Sequence, residues 1–146
     1  MPAKINFFVE EIDFRLKNKK ILRAWIASTL SAENKILKEI NFIFCNDAYL
    51  LKINQEYLKH DTYTDIITFD NSEKEEEIVS DIFISVERVT DNAQSFQIPF
   101  LLELHRVMIH GVLHLAGYKD KSAKDVKIMR SKENFYLNTL VTDSQN

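Results

Sequence analysis

Two histidines and an aspartate in the segment HGVLHLAGYKD have the spacing of metal ligands. His110 and His114 are four residues apart, so a helix would stack their side chains on one face, about 5–6 Å apart at Cβ. Gly117 follows at a position that favours a helix end, and Asp120 comes three residues later. A chain that turns at Gly117 can return the Asp120 carboxylate to the histidines. The pattern predicts one metal ion on His110, His114 and Asp120, and the alternative is a pair of core histidines with buried polar partners.

The chemistry expected of this segment is catalytic but not that of a zinc protease. The third ligand has the offset of the metzincin motif HExxHxxGxxH, yet Gly111 replaces the glutamate that acts there as general base. We expect the bare Cα of Gly111 to leave room beside the metal. Three protein ligands leave one coordination position open, which is typical of catalytic zinc. Zinc, one per chain, is the first candidate, and the oxygen ligand leaves iron, nickel and manganese as alternatives.

For two further histidines, the sequence gives weaker evidence of a function. His105 precedes His110 by five residues, which is about 140° around a helix from the ligand face and indicates a structural role. His60 stands in the polar segment HDTYTD ahead of a predicted strand. A functional loop and a capped turn are equally good interpretations of that segment.

The composition limits the class of protein. The chain has 146 residues, two glycines, one cysteine and a net charge of −3, so we expect one domain spanning residues 1–146. Two glycines can form neither a Walker A loop nor a GxGxxG fingerprint. Cys45 alone cannot form an internal disulfide. The single cysteine and the lack of both a recognisable signal peptide and a long apolar stretch predict a cytoplasmic protein without a membrane partner.

Hydrophobic spacing predicts the elements that must position the site. The predicted strands span residues 5–9, 40–45, 64–69 and 78–85. The predicted helices span residues 21–30, 47–58, 86–96, 100–116 and 123–140. This order predicts an α+β fold, in which about five helices pack with a small mixed four-stranded sheet. Helix 100–116 carries both ligand histidines and is apolar almost all round, which predicts a central, buried position.

Positive charge is concentrated beside the predicted metal site. Residues 119–132 contain six Lys or Arg and two Asp, a local charge of +4 in a chain of net charge −3. Lys124, Lys127 and Arg130 recur every third residue and would form a stripe on the last helix. Phosphate neutralisation is one use of such a stripe, and an ordinary solvated helix face is the alternative.

The segment HGVLHLAGYKD resembles the HGxLHLxGYDH signature of the YbeY family of metal-dependent endoribonucleases. Three further segments resemble the family's patterns in the same order: INQEY resembles LNxxY, DTYTDIITF resembles DxPTDVLSF, and SDIFIS resembles the GDIxI strand. The resemblance extends from about residue 40 to about residue 138.

Several positions depart from the family pattern. Asp120 replaces a third histidine, although it can still bind zinc through oxygen at ~2.0–2.2 Å. Leu58 stands where the family has an arginine that is thought to contact RNA phosphate or take part in cleavage. Lys59 is the nearest substitute, but it cannot reproduce the bidentate guanidinium. His60 replaces a lysine and Tyr63 a proline.

The resemblance implies a sheet surrounded by helices, with a cleft over the metal. It implies a single-strand-specific, metal-dependent endoribonuclease acting in ribosomal RNA processing (16S rRNA 3′-end maturation) and in ribosome quality control. The implied substrate is single-stranded RNA or an rRNA precursor, and the implied partners are the ribosome or its proteins. Two alternatives remain open: a ribosome-assembly or RNA-binding factor with a structural metal, and a metal hydrolase of another substrate.

The candidate functional residues fall into three groups. Catalysis is expected through the metal on His110, His114 and Asp120. Asp65 and Asp81 are candidate general bases by family position only. The candidate RNA-binding residues are Lys59, Lys121, Lys124, Lys127 and Arg130.

Overall fold

The computed structural model describes residues 4–60 and 62–140, and within them it confirms the predicted α+β fold. The strands are β1 Ile5–Val9, β2 Ile36–Cys45, β3 Ile66–Asp70 and β4 Glu77–Ser85. The α-helices are α1 Lys19–Ala32, α2 Asp47–Ile53, α3 Val86–Phe96, α4 Phe100–Leu115 and α5 Ala123–Leu137. A single π-helical turn, Asn54–Leu58, continues α2. Asp61, the first residue of the segment DTYTDIITF, lies outside the described residues, and the single domain predicted for residues 1–146 stays a prediction.

The sheet is mixed, with the strand order β1-β2-β4-β3. β1 pairs with β2 and β2 with β4 in parallel, whereas β3 runs antiparallel to β4. Alternate residues of β4 are fully buried, which indicates that one face of the strand packs against the core. Helix α4 covers this face, and its Leu104, Met108 and Val112 are fully buried beside Ile82 and Ile84 of β4. The predicted central position of the histidine helix is therefore confirmed.

Several element boundaries differ from the predictions by one to five residues; for example, α1 extends two residues further at each end than predicted. β2 begins at Ile36 rather than residue 40, because its exposed first residues pair along β4 from Glu77. β3 begins at Ile66 rather than residue 64, and β4 begins one residue early. The last helix ends at Leu137 rather than residue 140, where hydrogen bonds three residues apart tighten the chain into a turn.

The π-helical turn replaces the end of a predicted α-helix. Asn54 is buried there, and its Nδ2 donates a hydrogen bond to the carbonyl of Thr62 at 2.8 Å. The carbonyl of Asn54 also accepts from the backbone N–H of His60 at 3.2 Å. These contacts tie the end of the helix to the loop that leads into β3, and local hydrophobic spacing contains no sign of them.

Gly111 allows close packing of α4 on the sheet. A Cβ at this position would lie 2.8 Å from Cδ1 of Ile66, 3.3 Å from Oγ1 of Thr68 and 3.4 Å from Cδ1 of Ile82. The space left by the absent side chain is therefore occupied by β3 and β4. The expectation that Gly111 leaves room beside the metal is wrong, because this side of the helix faces the sheet.

We expect Gly111→Val to lower the free energy of unfolding by about 1–3 kcal/mol, since the added Cβ and its two methyl groups meet the sheet without space to accommodate them. Urea denaturation measures this change. Gly111→Ala is the matched control. Its single Cβ meets mainly the movable end of Ile66, and alanine gains about 0.5–1 kcal/mol over glycine inside a helix. Equal denaturation midpoints for the wild type and Gly111→Val would contradict the packing role.

Candidate metal centre

Helix α4 places the two predicted ligand histidines one turn apart at its C-terminal end. The rings of His110 and His114 are edge to face, with their centroids 4.7 Å apart. The helix ends in a Schellman motif, in which the N–H of Tyr118 donates to the carbonyl of Leu113 and the N–H of Gly117 to that of His114, both at 3.0 Å. Gly117 has a φ of +111°, a conformation that L side chains rarely adopt. The chain turns at this point, as predicted.

The turn brings Asp120 to the histidines. Its Oδ2 lies 3.3 Å from Nε2 of His110 and 3.2 Å from Nε2 of His114. The three potential ligand atoms all lie within 4.8 Å of one another. Ligands of one tetrahedral zinc, at about 2.0–2.1 Å from the ion, lie about 3.3 Å apart. The two oxygen–nitrogen distances match this value, so two imidazole nitrogens and a carboxylate oxygen are placed where a divalent transition metal could be held.

Glu133 of α5 is the functional residue that the sequence analysis missed. Nδ1 of His110 donates a hydrogen bond to its Oε2 at 2.7 Å, and Nη1 of Arg106 donates to Oε1 at 3.0 Å. The carboxylate is only 5% exposed. The Glu133 carboxylate holds the Nδ1 proton and leaves Nε2 of His110 free to face Asp120. A carboxylate at the second ring nitrogen is the usual partner of a metal-binding histidine.

A signal for Glu133 exists in the sequence. Met129, Glu133 and Tyr136 recur at helical spacing on α5, and all three are buried. A carboxylate on the core-facing side of a helix requires a polar partner. Spacing alone does not identify His110 as this partner, because it lies on another helix.

His110 and Glu133 shift each other's pKa. Burial alone would lower the pKa of His110, but the hydrogen bond and charge of Glu133, together with the charge of Asp120, raise it above the usual value. Burial alone would raise the pKa of Glu133, but its hydrogen bonds to His110 and Arg106 lower it below the usual value. Glu133 is therefore a carboxylate at neutral pH and can hold the imidazole N–H firmly.

A second polar group fixes the turn that carries Asp120. Glu33, at the end of α1, accepts hydrogen bonds from the hydroxyls of Tyr118, at 2.7 Å, and Tyr136. Nζ of Lys132 lies 3.6 Å from the same carboxylate. Tyr118 directly follows Gly117, so this cluster attaches the turn to both α1 and α5.

Two clefts meet at the histidine–aspartate cluster. The first has a volume of about 600 Å³ and the second about 360 Å³. Asp65, His110 and Asp120 line both. The first continues along the loop before β3 and includes His60 and Tyr63. The second lies between α3, α4 and α5. A chain-like molecule can therefore occupy both clefts while one of its groups contacts the cluster.

The structure distributes the candidate RNA-binding residues unevenly. Lys121, Lys124 and Lys127 are exposed at the start of α5, beside the cluster. Arg130 lines the second cleft, and its Nη1 lies 3.7 Å from Oε1 of Glu133. Lys59 is exposed with a φ of +57° and lines neither cleft.

The two candidate bases lie in different environments. Asp65 lines both clefts, and burial raises its pKa against the opposing charge of His110. Asp81 lies on the sheet face opposite the fully buried Ile82 and lines neither cleft. Its Oδ1 accepts a hydrogen bond from Nδ2 of Asn41 at 3.1 Å. Of the two, only Asp65 is brought to the cluster.

His105 lies in the core rather than at the cluster. It is buried, with its ring edge to face with that of Trp25 at 6.2 Å between centroids. Burial lowers the pKa of His105 to about 4, so the imidazole is neutral at physiological pH. Its position is that of a structural residue.

Comparison with known proteins gives one family. The family model described as "Endoribonuclease YbeY" matches residues 4–141. The protein of that name from Amoebophilus asiaticus is 51% identical over 138 residues, covering 94% of both chains. The one from Flavobacterium psychrophilum is 56% identical over 126 residues, covering 86% of this chain and 89% of its own. The solution structure of TM1509 from Thermotoga maritima has a TM-score of 0.66 at 28% identity, covering 93% of this chain and 88% of that one. The chain belongs to the YbeY family of endoribonucleases.

Proposed function

We propose that this protein is a metal-dependent endoribonuclease that cleaves single-stranded RNA, with the metal held by His110, His114 and Asp120. The observation that supports this most strongly is the position of the three ligand atoms where two clefts meet. A phosphodiester at the cluster would have one neighbouring nucleotide in each cleft. The clefts have the dimensions of small-molecule sites of roughly 300–1,000 Å³, which suits unpaired nucleotides better than a duplex.

The metal is proposed to be zinc, one ion per chain. A divalent ion at this position supplies a Lewis acid for a phosphoryl oxygen and lowers the pKa of water. Glu133 orients His110 through the Nδ1 proton, and the Glu33 cluster holds the turn that carries Asp120. The side chains of three residues leave one side of the cluster open to the clefts, as substrate access requires.

Asp65 is the proposed proton acceptor. It is the only one of the two candidate bases that lines the clefts, and burial raises its pKa above the usual value, which makes the carboxylate a better proton acceptor. The exposed Lys121, Lys124 and Lys127 are proposed to neutralise phosphates of the strand as it leaves the cluster along α5. Arg130 adds a charge inside the second cleft. Lys59 lines neither cleft, so no phosphate contact inside the clefts is proposed for it.

The biological substrate is proposed to be a ribosomal RNA precursor in the cytoplasm, with 16S rRNA 3′-end maturation and ribosome quality control as the processes and the ribosome as the partner. The support is the family resemblance in HGVLHLAGYKD and the surrounding segments. Within the part of the chain that the structure describes, no helix has the length and apolar character of a membrane span.

The test measures cleavage and binding of one labelled single-stranded RNA by the zinc-loaded protein. We expect the wild type to cut it, and His114→Ala to reduce the rate at least a hundredfold while binding it with nearly unchanged affinity. Loss of a metal ligand removes the reaction, but the basic surface of α5 remains. The double variant Lys124→Ala/Lys127→Ala should show the reverse pattern, with weaker binding and a lower salt dependence of affinity by about two charges.

Circular dichroism of each variant is the control for folding. Equal cleavage by the wild type and folded His114→Ala would assign the activity to a contaminant. With RNA binding retained, that result would favour the alternative of an RNA-binding assembly factor with a structural metal. A wild type that neither binds nor cuts RNA would instead favour a metal hydrolase of another substrate, for which the missing arginine at Leu58 is an argument.

A further inference from the structure

The second cleft contains polar groups that the proposed reaction does not use. Glu103 of α4 lines this cleft and is only 5% exposed, yet its carboxylate forms no hydrogen bond to any other side chain or backbone group among residues 4–60 and 62–140. Asn92 of α3 also lines the cleft, and its carboxamide forms no hydrogen bond within the same residues. The Glu103 oxygens are not among the fully buried atoms without a partner, so they reach the cleft, where a ligand that donates hydrogen bonds would take the place of solvent.

An aromatic surface lies beside these groups. Phe96, at the end of α3, lines the same cleft and is 60% exposed. Val126 of α5, also in the lining, is 50% exposed. Exposed aromatic rings are the usual stacking surfaces for unpaired bases. The guanidinium of Arg130 in the same lining suits a phosphate.

From these contacts we propose that the second cleft binds an unpaired guanine base of the RNA next to the scissile bond; the inference rests on the proposed function. A carboxylate is an acceptor only, with two oxygens side by side. Guanine is the one common RNA base whose Watson–Crick edge presents two adjacent donors, N1–H and N2–H₂. Glu103 receives these two donors, Phe96 stacks on the ring, and Asn92 contacts the remaining edge.

The charges around Glu103 suit a ligand that donates hydrogen bonds to its carboxylate. Burial and the charge of Asp65 raise the pKa of Glu103, whereas the charges of Arg106 and Arg130 lower it. Two hydrogen bonds from guanine would favour the ionised carboxylate further. Adenine and cytosine place an acceptor beside their donor, so each would set a lone pair against one oxygen of Glu103.

The location of the cleft fixes which nucleotide is recognised. Asp65, His110 and Asp120 line this cleft and also line the first one. The volume of about 360 Å³ suits a single nucleotide. The guanine in this cleft is therefore directly adjacent to the phosphodiester at the cluster, and the first cleft receives the nucleotide on the other side.

The first experiment uses single-stranded RNA oligomers of adenine and uracil with one central guanine, and matched oligomers with inosine or adenine at that position. We expect zinc-loaded wild type to cut beside the guanine about tenfold or more faster than beside adenine, with inosine in between because it lacks the N2 donors. Glu103→Gln presents one acceptor and one donor, so it should remove the preference while still cutting RNA. Glu73→Gln, an exposed substitution in the loop before β4, should keep the preference.

The second experiment measures binding without catalysis. NMR spectra of metal-free protein should show a shift of the Asn92 side-chain amide on addition of guanosine 5′-monophosphate, with weaker effects from inosine and adenosine 5′-monophosphate. Asn92→Ala should weaken guanosine monophosphate binding, and Glu103→Gln should abolish its advantage over the adenosine nucleotide. Circular dichroism confirms the fold of both variants.

The outcomes separate the two proposals. Efficient cutting of all oligomers at equal rates, with equal binding of the three nucleotides, would overturn the guanine site and leave the endoribonuclease intact. Guanine-selective binding that depends on Glu103, in a protein that cuts no RNA, would keep the cleft assignment and overturn the proposed function. Loss of folding in Glu103→Gln would leave Asn92→Ala and the nucleotide series as the deciding measurements.

Discussion

Asp120→Ala is expected to reduce zinc affinity at least a hundredfold, because it removes one of the three proposed ligand atoms and leaves two imidazoles on a helix end. The Oδ2 of Asp120 lies 3.3 Å from Nε2 of His110 and 3.2 Å from Nε2 of His114. Among the described residues, no other carboxylate belongs to this group of three potential ligands. A competition titration against a chromogenic chelator measures the affinity, and elemental analysis measures the metal retained through purification. RNA cleavage should fall with the occupancy.

Two variants make this test specific. Asp91→Ala removes an exposed carboxylate on α3 and should leave the zinc affinity unchanged. Asp120→His installs the residue that the family pattern has at this position and should keep zinc bound. Unchanged metal content in Asp120→Ala would remove Asp120 from the ligand set. Loss of metal in Asp91→Ala as well would indicate a nonspecific effect of lost negative charge.

Glu133→Ala is expected to have two separate large effects. Without the carboxylate, the His110 ring is free to rotate or exchange its tautomer, and the loss of such a partner typically costs 10–100-fold in metal affinity. The Arg106 guanidinium also loses its counter-charge, and breaking a buried ion pair from one side costs roughly 3–5 kcal/mol. The affinity comes from the chelator titration and the free energy from urea denaturation of the metal-free protein.

A second substitution separates the two effects. Glu133→Gln keeps the size and an acceptor for the Nδ1 proton but not the charge, so it should recover most of the metal affinity while the metal-free protein remains destabilised. Asn134→Ala, the exposed neighbour on α5, should change neither quantity. Wild-type zinc affinity in folded Glu133→Ala would contradict the role of Glu133 in orienting His110.

The sequence predicts the cluster because its geometry is local. His110, His114 and Asp120 are joined by one helical turn and one glycine-ended turn, and both have short-range rules. Glu133 is 23 residues from His110 on another helix, so the contact depends on how α4 and α5 pack. Helical spacing shows that Glu133 faces the core but not which group it meets there.

The fold likewise divides into features that local patterns predict and features that depend on contacts between distant residues. Alternation and helical periodicity predict the order of the elements and the mixed sheet. The π-helical turn at Asn54 depends on the contact with Thr62 across the loop, which the periodicity cannot indicate. The interpretation of Gly111 fails for a related reason. The neighbouring His110 faces the cluster, but the side of the helix at Gly111 is rotated from it by about 100°. Only the packed structure shows that the sheet lies on that side.

The position of Glu133 on α5 also has a consequence for the order of events during synthesis. A nascent chain that has completed α4 and its turn already contains both histidines and Asp120, but it has no carboxylate to hold the Nδ1 proton of His110. Tyr136, which donates to Glu33, and the Tyr136 carbonyl that accepts from Trp25 at 2.8 Å, also emerge with α5. Among the described helices, α5 is the last to be synthesised, so the His110 ring acquires its orienting partner only after almost the whole described chain has been translated.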